Sequence, residues 1–173
     1  MHALGPRLAP ILLISEIRTI AADDLPMEAL EDLDGVFGAG YSVSLFTRFR
    51  RPVFDLAFVK RRVDPAAPWT PPDSWLGAVR APEQRHPVPG EPAEHTTLQD
   101  GLPGPWHTRL PHFRLEFTPS KGEEIQSEFF IAREHGAAAV RAVHDLGPRL
   151  APILLISETV SYTHLTLPTN REV

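Results

Sequence analysis

Hydrophobic and polar residues recur along this chain with two different periods, which predict helices and strands respectively. Apolar residues three or four apart over 27–37 predict a helix, and Gly38 and Gly40 predict its end. The runs 41–48 and 54–61 are rich in β-branched and aromatic residues, which favours two adjacent strands. The first half of the pattern therefore predicts an α-β-β unit.

The second half of the pattern predicts a β-α-β unit. Alternation over 112–118 and 124–131 predicts two strands around a turn at 118–122. Helical spacing over 133–146 and an apolar run over 153–158 predict a helix and a final strand. The expected fold class is α+β, a largely antiparallel sheet covered by helices.

A long loop is expected between the two units. Periodicity disappears over 64–111, which holds most of the 19 prolines. Because Trp69, Trp75 and Trp106 also lie there, we expect an ordered, proline-rich loop that is packed by its aromatic side chains.

Composition narrows the class of protein. A chain of 173 residues with 42% hydrophobic residues fits one modest domain. A net charge of -5 argues against nucleic-acid binding, and the absence of cysteine excludes disulfides, thiolate metal sites and thiol catalysis. No apolar run approaches the roughly 20 residues of a membrane span, and 1–15 lacks the features of a signal peptide. We therefore expect a cytoplasmic location.

One segment occurs twice. Residues 4–16 recur letter for letter as 146–158. His2 also matches His144, and Met1 stands where Val143 stands, as it would if a GTG valine codon were read as a start. Structural repeats diverge and recur in tandem, so one segment included twice is a better interpretation than a structural duplication.

The C-terminal tail, 159–173, shares no pattern with the preceding chain. Residues 160–165 back-translate to bases that resemble the mosaic end of transposase adapters used in sequencing libraries. We interpret the tail as translated adapter and exclude it from fold and function; the alternative is an ordinary polar C-terminus.

Familiar catalytic and cofactor motifs are absent. Gly38-Ala39-Gly40 follows a predicted helix instead of a strand, so it is typical of a helix end and not of a phosphate cradle. The eight histidines show no close metal spacing, and no GxSxG motif exists. We assign no catalytic residue and no metal ligand.

Glu16 and Arg18 are the strongest candidates for ligand binding. Residues two apart on a strand share a face, so a carboxylate acceptor and a guanidinium donor project together. Such a pair suits a ligand that is rich in hydroxyl groups, although a solvated or structural ion pair is the alternative.

Several short words of the sequence match those of a known family. They are 41–47 (YSVSLFT), 59–62 (VKRR), 86–90 (HPVPG), 104–107 (GPWH), 110–114 (LPHFR), 116–120 (EFTPS), 126–128 (QSE), 133–135 (REH) and 16–19 (EIRT). They resemble the substrate domain of bacterial alditol oxidases, which belong with the aldonolactone oxidases such as D-arabinono-1,4-lactone oxidase among the vanillyl-alcohol-oxidase type of FAD proteins.

This resemblance implies an activity and a ligand. Such enzymes oxidise a CH–OH group of a sugar alcohol or aldonolactone: hydride passes from carbon to the flavin of FAD, and oxygen reoxidises the flavin and gives hydrogen peroxide. Glu16 and Arg18 match the glutamate and arginine that bind polyol hydroxyls in this family. The family's N-terminal FAD domain has no counterpart here, so we expect the fragment alone to be inactive.

The resemblance also implies a division of the chain. Residues 1–27 are a misplaced duplicate strand with the EIRT word, 28–158 are a partial substrate domain, and 159–173 are non-native. Natural order would continue from Glu158 into Ile17, and we expect the second copy of the repeat to fill the strand position beside its own helix. A non-enzymatic binding or interaction module, with a structural Glu-Arg pair, is the competing interpretation.

Overall fold

A computed structural model describes residues 16–114, 116–117 and 124–161. The strands within these ranges form one sheet in the order β4-β5-β1-β3-β2-β7, with β6 paired to β1, and every pairing is antiparallel. Their bounds are β1 (Glu16–Pro26), β2 (Ser42–Thr47), β3 (Val53–Arg62), β4 (Ser74–Trp75), β5 (Ala78–Arg80), β6 (Gly104–Pro105) and β7 (Ser157–Val160). The α+β class is confirmed.

Three α-helices accompany the sheet in the described ranges: α1 (Leu33–Gly38), α2 (Gly136–Asp145) and α3 (Gly147–Leu150). A 3-10 helix, Met27–Asp32, leads into α1, and shorter 3-10 turns occupy Ala93–His95, Trp106–Thr108 and Arg133–His135. None of these helices is long and apolar enough to cross a membrane. The predicted helices over 27–37 and 133–146 are thus present, each with a 3-10 first turn.

The main core lies between one sheet face and the helices that follow β1. Ile20, Val43 and Val59 project from three adjacent strands and are almost fully buried. They pack with Leu30 and Val36 of the helical segment. The β-branched and aromatic residues that predicted strands at 41–48 and 54–61 therefore include the side chains of this buried face.

The proline-rich loop is ordered, as predicted. It carries β4, β5 and β6, and each of these short strands joins the sheet beside β1 or β5. Trp69 and Trp75 pack against the main core. Trp106 is partly buried in its own 3-10 turn.

The predicted hairpin over 112–118 and 124–131 is wrong for the residues that the structure describes, and its turn at 118–122 lies outside them. Around 112–114 the backbone hydrogen-bonds to the loop: Thr97 N–H donates to the His112 carbonyl, and Arg114 N–H donates to the His95 carbonyl. Residues 124–131 form no strand and are exposed. No apolar surface of the described residues covers these side chains, so strand pairing is not stabilised there.

The final strand is shifted along the chain. The sequence pattern predicts a strand over 153–158, whereas β7 begins at Ser157 and ends at Val160. The last turn of α3 extends beyond the helix, because Ala151 N–H donates to the Gly147 carbonyl and Leu154 N–H to the Leu150 carbonyl. The apolar run therefore supplies a turn first and a strand only afterwards.

Candidate functional site

The predicted pair, Glu16 and Arg18, lies at the start of β1. Glu16 is exposed and Arg18 is half-buried. Arg18 stands opposite Arg61 of β3, on the sheet face that carries Ile20. Neither side chain forms a hydrogen bond or an ion pair with another described residue, and the two do not bridge each other. The pair shares a face, as expected, but no other described residue supplies a polar partner to it.

A polar cluster lies on the opposite face of the same sheet. Its members are Ser44, Lys60, His112 and Glu158, which come from β2, β3, the end of the proline-rich loop and β7. We call this set the Lys60 cluster. Its side chains adjoin Phe46 and Phe58, the aromatic residues of a second, smaller core.

Lys60 is buried because of its position in the strand. Alternation along β3 places it on the face of Phe58, and antiparallel pairing puts it opposite Thr19 and Ser42. Its side chain is 1% exposed. The ammonium group donates to the Leu110 carbonyl, and its Nζ lies 2.9 Å from Nδ1 of His112.

His112 links Lys60 to a carboxylate. Its Nε2 lies 3.0 Å from Oε1 of Glu158 and 3.3 Å from Oγ of Ser44. The ring packs at 5.5 Å from the ring of Phe46 and 5.6 Å from that of Phe58, measured between centroids. These contacts fix the plane of the imidazole between an amine and a carboxylate.

Burial governs the electrostatics of the cluster. Desolvation lowers the pKa of Lys60 to about 7, although the charge of Glu158 acts in the opposite direction. Desolvation also lowers the pKa of His112; the hydrogen bond with Glu158 opposes this change and the charge of Lys60 adds to it. For Glu158, desolvation alone would raise the pKa, but hydrogen bonds with His112 and Ser44 and the charges of His112 and Lys60 lower it below its usual value. The cluster thus holds an ionised carboxylate beside a neutral imidazole.

Sequence reasoning did not assign this cluster a role, although one signal was present. Leu56 and Phe58 lie two positions apart in β3 and pack in the second core, and the next residue of that series is Lys60. A lysine that continues an apolar series is a sign of a buried amine with polar partners. His112 and Glu158 could not be joined to it, because they are 52 and 98 positions away and meet it only through tertiary packing.

The second copy of the repeat supplies Glu158. Antiparallel pairing places Glu158 opposite Phe46 and Val160 opposite Ser44, so β7 lies beside β2. Glu158 therefore occupies, in the second copy, the place that Glu16 has in the first copy. Residues 4–15 of the first copy lie outside the described ranges, so the competition between the copies stays a prediction.

Gly40 serves the packing of the sheet. At Gly40 an added Cβ would lie 2.7 Å from the backbone oxygen of Lys60, so this glycine makes room for the neighbouring strand and not for a phosphate. Metal binding has no support in the same ranges, where no three histidine, aspartate or glutamate side chains converge. The Lys60 cluster is suited to hydrogen bonding with a polar ligand.

The antiparallel sheet therefore carries a buried amine, an imidazole and a carboxylate together on one face. No known family model matches the chain. Over 138 residues the chain is 49% identical to an alditol oxidase of Streptomyces sp. (strain IKD472 / FERM P-14339), and the match covers 78% of this chain and 31% of that protein. The matched stretch is consistent with a fragment of a protein of the alditol oxidase family, and the chain spans about a third of the length of this relative.

Proposed function

We propose that this chain is part of the substrate-binding domain of an FAD-dependent oxidase. The whole enzyme acts on a CH–OH group of sugar alcohols or aldonolactones, uses oxygen as acceptor and releases hydrogen peroxide. The observation that carries the proposal is the 49% identity with an alditol oxidase over 138 residues.

In this proposal the chain binds and orients the substrate. Glu16 accepts hydrogen bonds from substrate hydroxyls, and Arg18 donates hydrogen bonds to their oxygens. Both side chains are open to a ligand, since neither is engaged by another described residue. FAD is held by parts of the enzyme other than the described residues, so the chain by itself is expected to be inactive.

A chimera tests the proposed activity. Residues 27–158 of this chain replace the matching stretch of the Streptomyces alditol oxidase, and peroxide formation from xylitol and sorbitol is measured. We expect a yellow protein that retains oxidase activity on alditols. A chimera that folds and binds FAD but forms no peroxide from any alditol or aldonolactone would contradict the proposal.

The isolated chain provides the complementary test. Purified protein is incubated with FAD, xylitol and oxygen, and we expect neither a stably bound flavin nor peroxide. Xylitol binding is then measured by NMR titration of Glu16→Gln and Arg18→Lys, with the exposed Glu28→Gln as a matched control. Loss of affinity in the control to the same extent as in Glu16→Gln would remove the assigned role of Glu16.

A further inference from the structure

We propose that the end of the proline-rich loop binds a small oxyanion, a carboxylate or phosphate group, through Arg109 and Arg114. Both arginines line a cavity of about 190 Å³, together with Phe113, Glu116 and neighbouring residues of the loop. The inference goes beyond the proposed function, because it uses none of the residues to which that function assigns the substrate.

Arg109 is a buried cation whose hydrogen bonds are incomplete. The residue is 8% exposed, and its Nε is buried with no hydrogen-bond acceptor among the described residues. Its ion pair with Asp100 joins Nη2 to Oδ2 at 4.0 Å, which is beyond the length of a hydrogen bond. Burial of an unsatisfied guanidinium is costly. We therefore expect an acceptor at this place that the described residues do not supply.

The position of Arg109 is fixed from two sides. The buried Thr19 hydroxyl donates to the Arg109 carbonyl at 3.1 Å, and Arg109 N–H donates to the Trp106 carbonyl at 3.2 Å. At Gly104 an added Cβ would lie 2.8 Å from Cζ and from Nε of Arg109, so this glycine gives the guanidinium room to pack against β6. A cation that is fixed in advance loses less conformational entropy when it binds a ligand.

Arg114 supplies the second guanidinium of the cavity. Its backbone N–H donates to the His95 carbonyl at 2.9 Å, and its Nε donates to the Thr96 carbonyl at 3.2 Å. These bonds orient the side chain and leave the terminal amino groups as donors to a ligand. Planar N–H donors from two arginines are typical of sites for carboxylate and phosphate groups.

Two carboxylates in this region do not replace the ligand. Glu116 lines the cavity but is exposed, so water and salt screen its charge. Asp100 is oriented by its own loop, because its Oδ1 accepts a hydrogen bond from Leu102 N–H at 2.9 Å. The charge of the buried Arg109 is screened less than either. A volume of about 190 Å³ is small for a ligand pocket, which favours a small anion.

The first experiment measures anion binding to the full chain by 15N NMR of the arginine Nε–H groups. Inorganic phosphate and acetate are added at constant ionic strength, with chloride as the reference, and Arg109→Lys assigns the signal. We expect a saturable change of the Arg109 signal. Saturation by phosphate alone identifies a phosphate group as the ligand, and saturation by acetate as well identifies oxyanions in general. A signal that does not change, or that changes equally with chloride, would overturn the proposal.

The second experiment compares the phosphate affinity of folded variants. Loss of a hydrogen bond to a charged group corresponds to about a tenfold or larger change in affinity, which we expect for Arg109→Gln. Arg149→Gln is the matched control, since Arg149 is an exposed arginine outside the cavity. Circular dichroism establishes folding of each variant. Equal affinities of the parent chain and Arg109→Gln would remove the assigned role of Arg109.

Gly104→Ala tests the same site without a change of charge. The added Cβ contacts the end of the flexible Arg109 side chain, so we expect the guanidinium to move, the fold to be retained and phosphate affinity to fall. Gly38→Ala is the matched control, because a Cβ there meets nothing within 4 Å. If Arg109→Gln does not fold, unchanged affinity in Gly104→Ala contradicts the proposal by itself.

Asp100→Asn distinguishes a ligand site from a structural ion pair. Removal of the carboxylate that competes for Arg109 is expected to strengthen phosphate binding severalfold. If Arg109 serves only to pair with Asp100, Asp100→Asn and Arg109→Gln destabilise the chain equally and phosphate does not bind, which overturns the proposal. Failure of the proposed oxidase function is seen separately, as an inactive chimera whose Arg109 signal still responds to phosphate.

Discussion

At the scale of single residues, Lys60 has the most unusual environment in the described part of the chain. Its side chain is 1% exposed, and its amine is satisfied by the Leu110 carbonyl and by His112. Lysine is almost never enclosed in this way without partners, because desolvation disfavours its charged form. The protonation of this single group is therefore coupled to folding.

The first prediction concerns that coupling. The pKa of Lys60 is about 7 in the folded chain, whereas the ordinary pKa of a lysine is 10.5. The unfolded chain thus binds more protons between these values, so the free energy of unfolding rises with pH across this window, by up to about 1.4 kcal/mol per pH unit. Urea unfolding at several pH values between 7 and 10 measures the slope. Lys60→Met is expected to lack this contribution, and an equal slope in both proteins would contradict the prediction.

A second prediction concerns the stability of the fold at acidic pH. The pKa values of His112 and Glu158 are both lowered by folding. As pH falls below 6.5, the ordinary pKa of histidine, His112 therefore destabilises the fold. The stabilising contribution of Glu158 is lost as pH falls below 4.5, the ordinary pKa of glutamate, toward the lower pKa of the folded state. We expect the unfolding free energy to decrease from pH 7 to pH 4, with a smaller decrease in His112→Phe. An acid profile identical in the two proteins would show that His112 is not the linked group.

Two glycines provide a matched test of backbone contact. An added Cβ at Gly147 would lie 2.5 Å from the backbone oxygen of Phe49, whereas at Gly38 it would meet nothing within 4 Å. Gly147→Ala is expected to cost about 1–3 kcal/mol, because backbone must shift to relieve the contact. Gly38→Ala is expected to be neutral or to stabilise, by up to about 1 kcal/mol. Urea unfolding measures both, and equal effects would argue against the close approach of α3 to Phe49.

At the scale of elements, α1 depends on its first turn. The Asp32 side chain accepts a hydrogen bond from Gly35 N–H at 2.8 Å, which satisfies one of the free amides at the start of the helix. Asp34, two residues later, forms an ion pair with Arg133 at 2.6 Å in an exposed position. The two aspartates are therefore close in sequence but differ in what they contact.

This difference gives a prediction for the helix. Asp32→Ala is expected to cost about 1 kcal/mol through loss of the cap. Asp34→Ala is expected to cost less, since exposed ion pairs contribute about 0–1 kcal/mol. Thermal unfolding of both variants measures the effect; an equal or larger loss in Asp34→Ala would mean that the ion pair, and not the cap, stabilises this segment.

Elements with one clear apolar face were predictable, and elements whose partner comes from elsewhere were not. The helix at 27–37 follows from local periodicity, and the strands β2 and β3 follow from their β-branched and aromatic residues, because these side chains form a buried face. The first residues of the strand expected over 112–118 instead form backbone hydrogen bonds with 95–97 of the loop. No local pattern in 112–118 encodes that partner.

At the scale of the whole molecule, apolar residues are distributed unevenly between core and surface. Phe58 is 1% exposed in the second core, while Phe129, in the segment without secondary structure, is 84% exposed. Ile125 is 96% exposed in the same segment. Residue type alone therefore does not indicate which phenylalanine stabilises the fold.

The last prediction compares these two phenylalanines. Phe58→Ala is expected to destabilise the chain by about 3–5 kcal/mol, because it removes a buried ring and leaves a cavity beside Phe46 and His112. Phe129→Ala is expected to change the unfolding free energy by less than about 0.5 kcal/mol. Chemical unfolding of both variants is the measurement, and a large effect of Phe129→Ala would show that 124–131 packs against the rest of the protein.

The sequence alone determined the α+β class, the two central strands, the helical segments, the ordered proline-rich loop and the resemblance to alditol oxidases, because each depends on local period, turn residues or matching words. It also indicated Glu16 and Arg18 as a pair on one face. Tertiary structure alone decided that Lys60, His112 and Glu158 meet on the opposite face. Their meeting depends on strand order and on how the loop crosses the sheet, and long-range pairings of this kind leave no periodic signal in the chain.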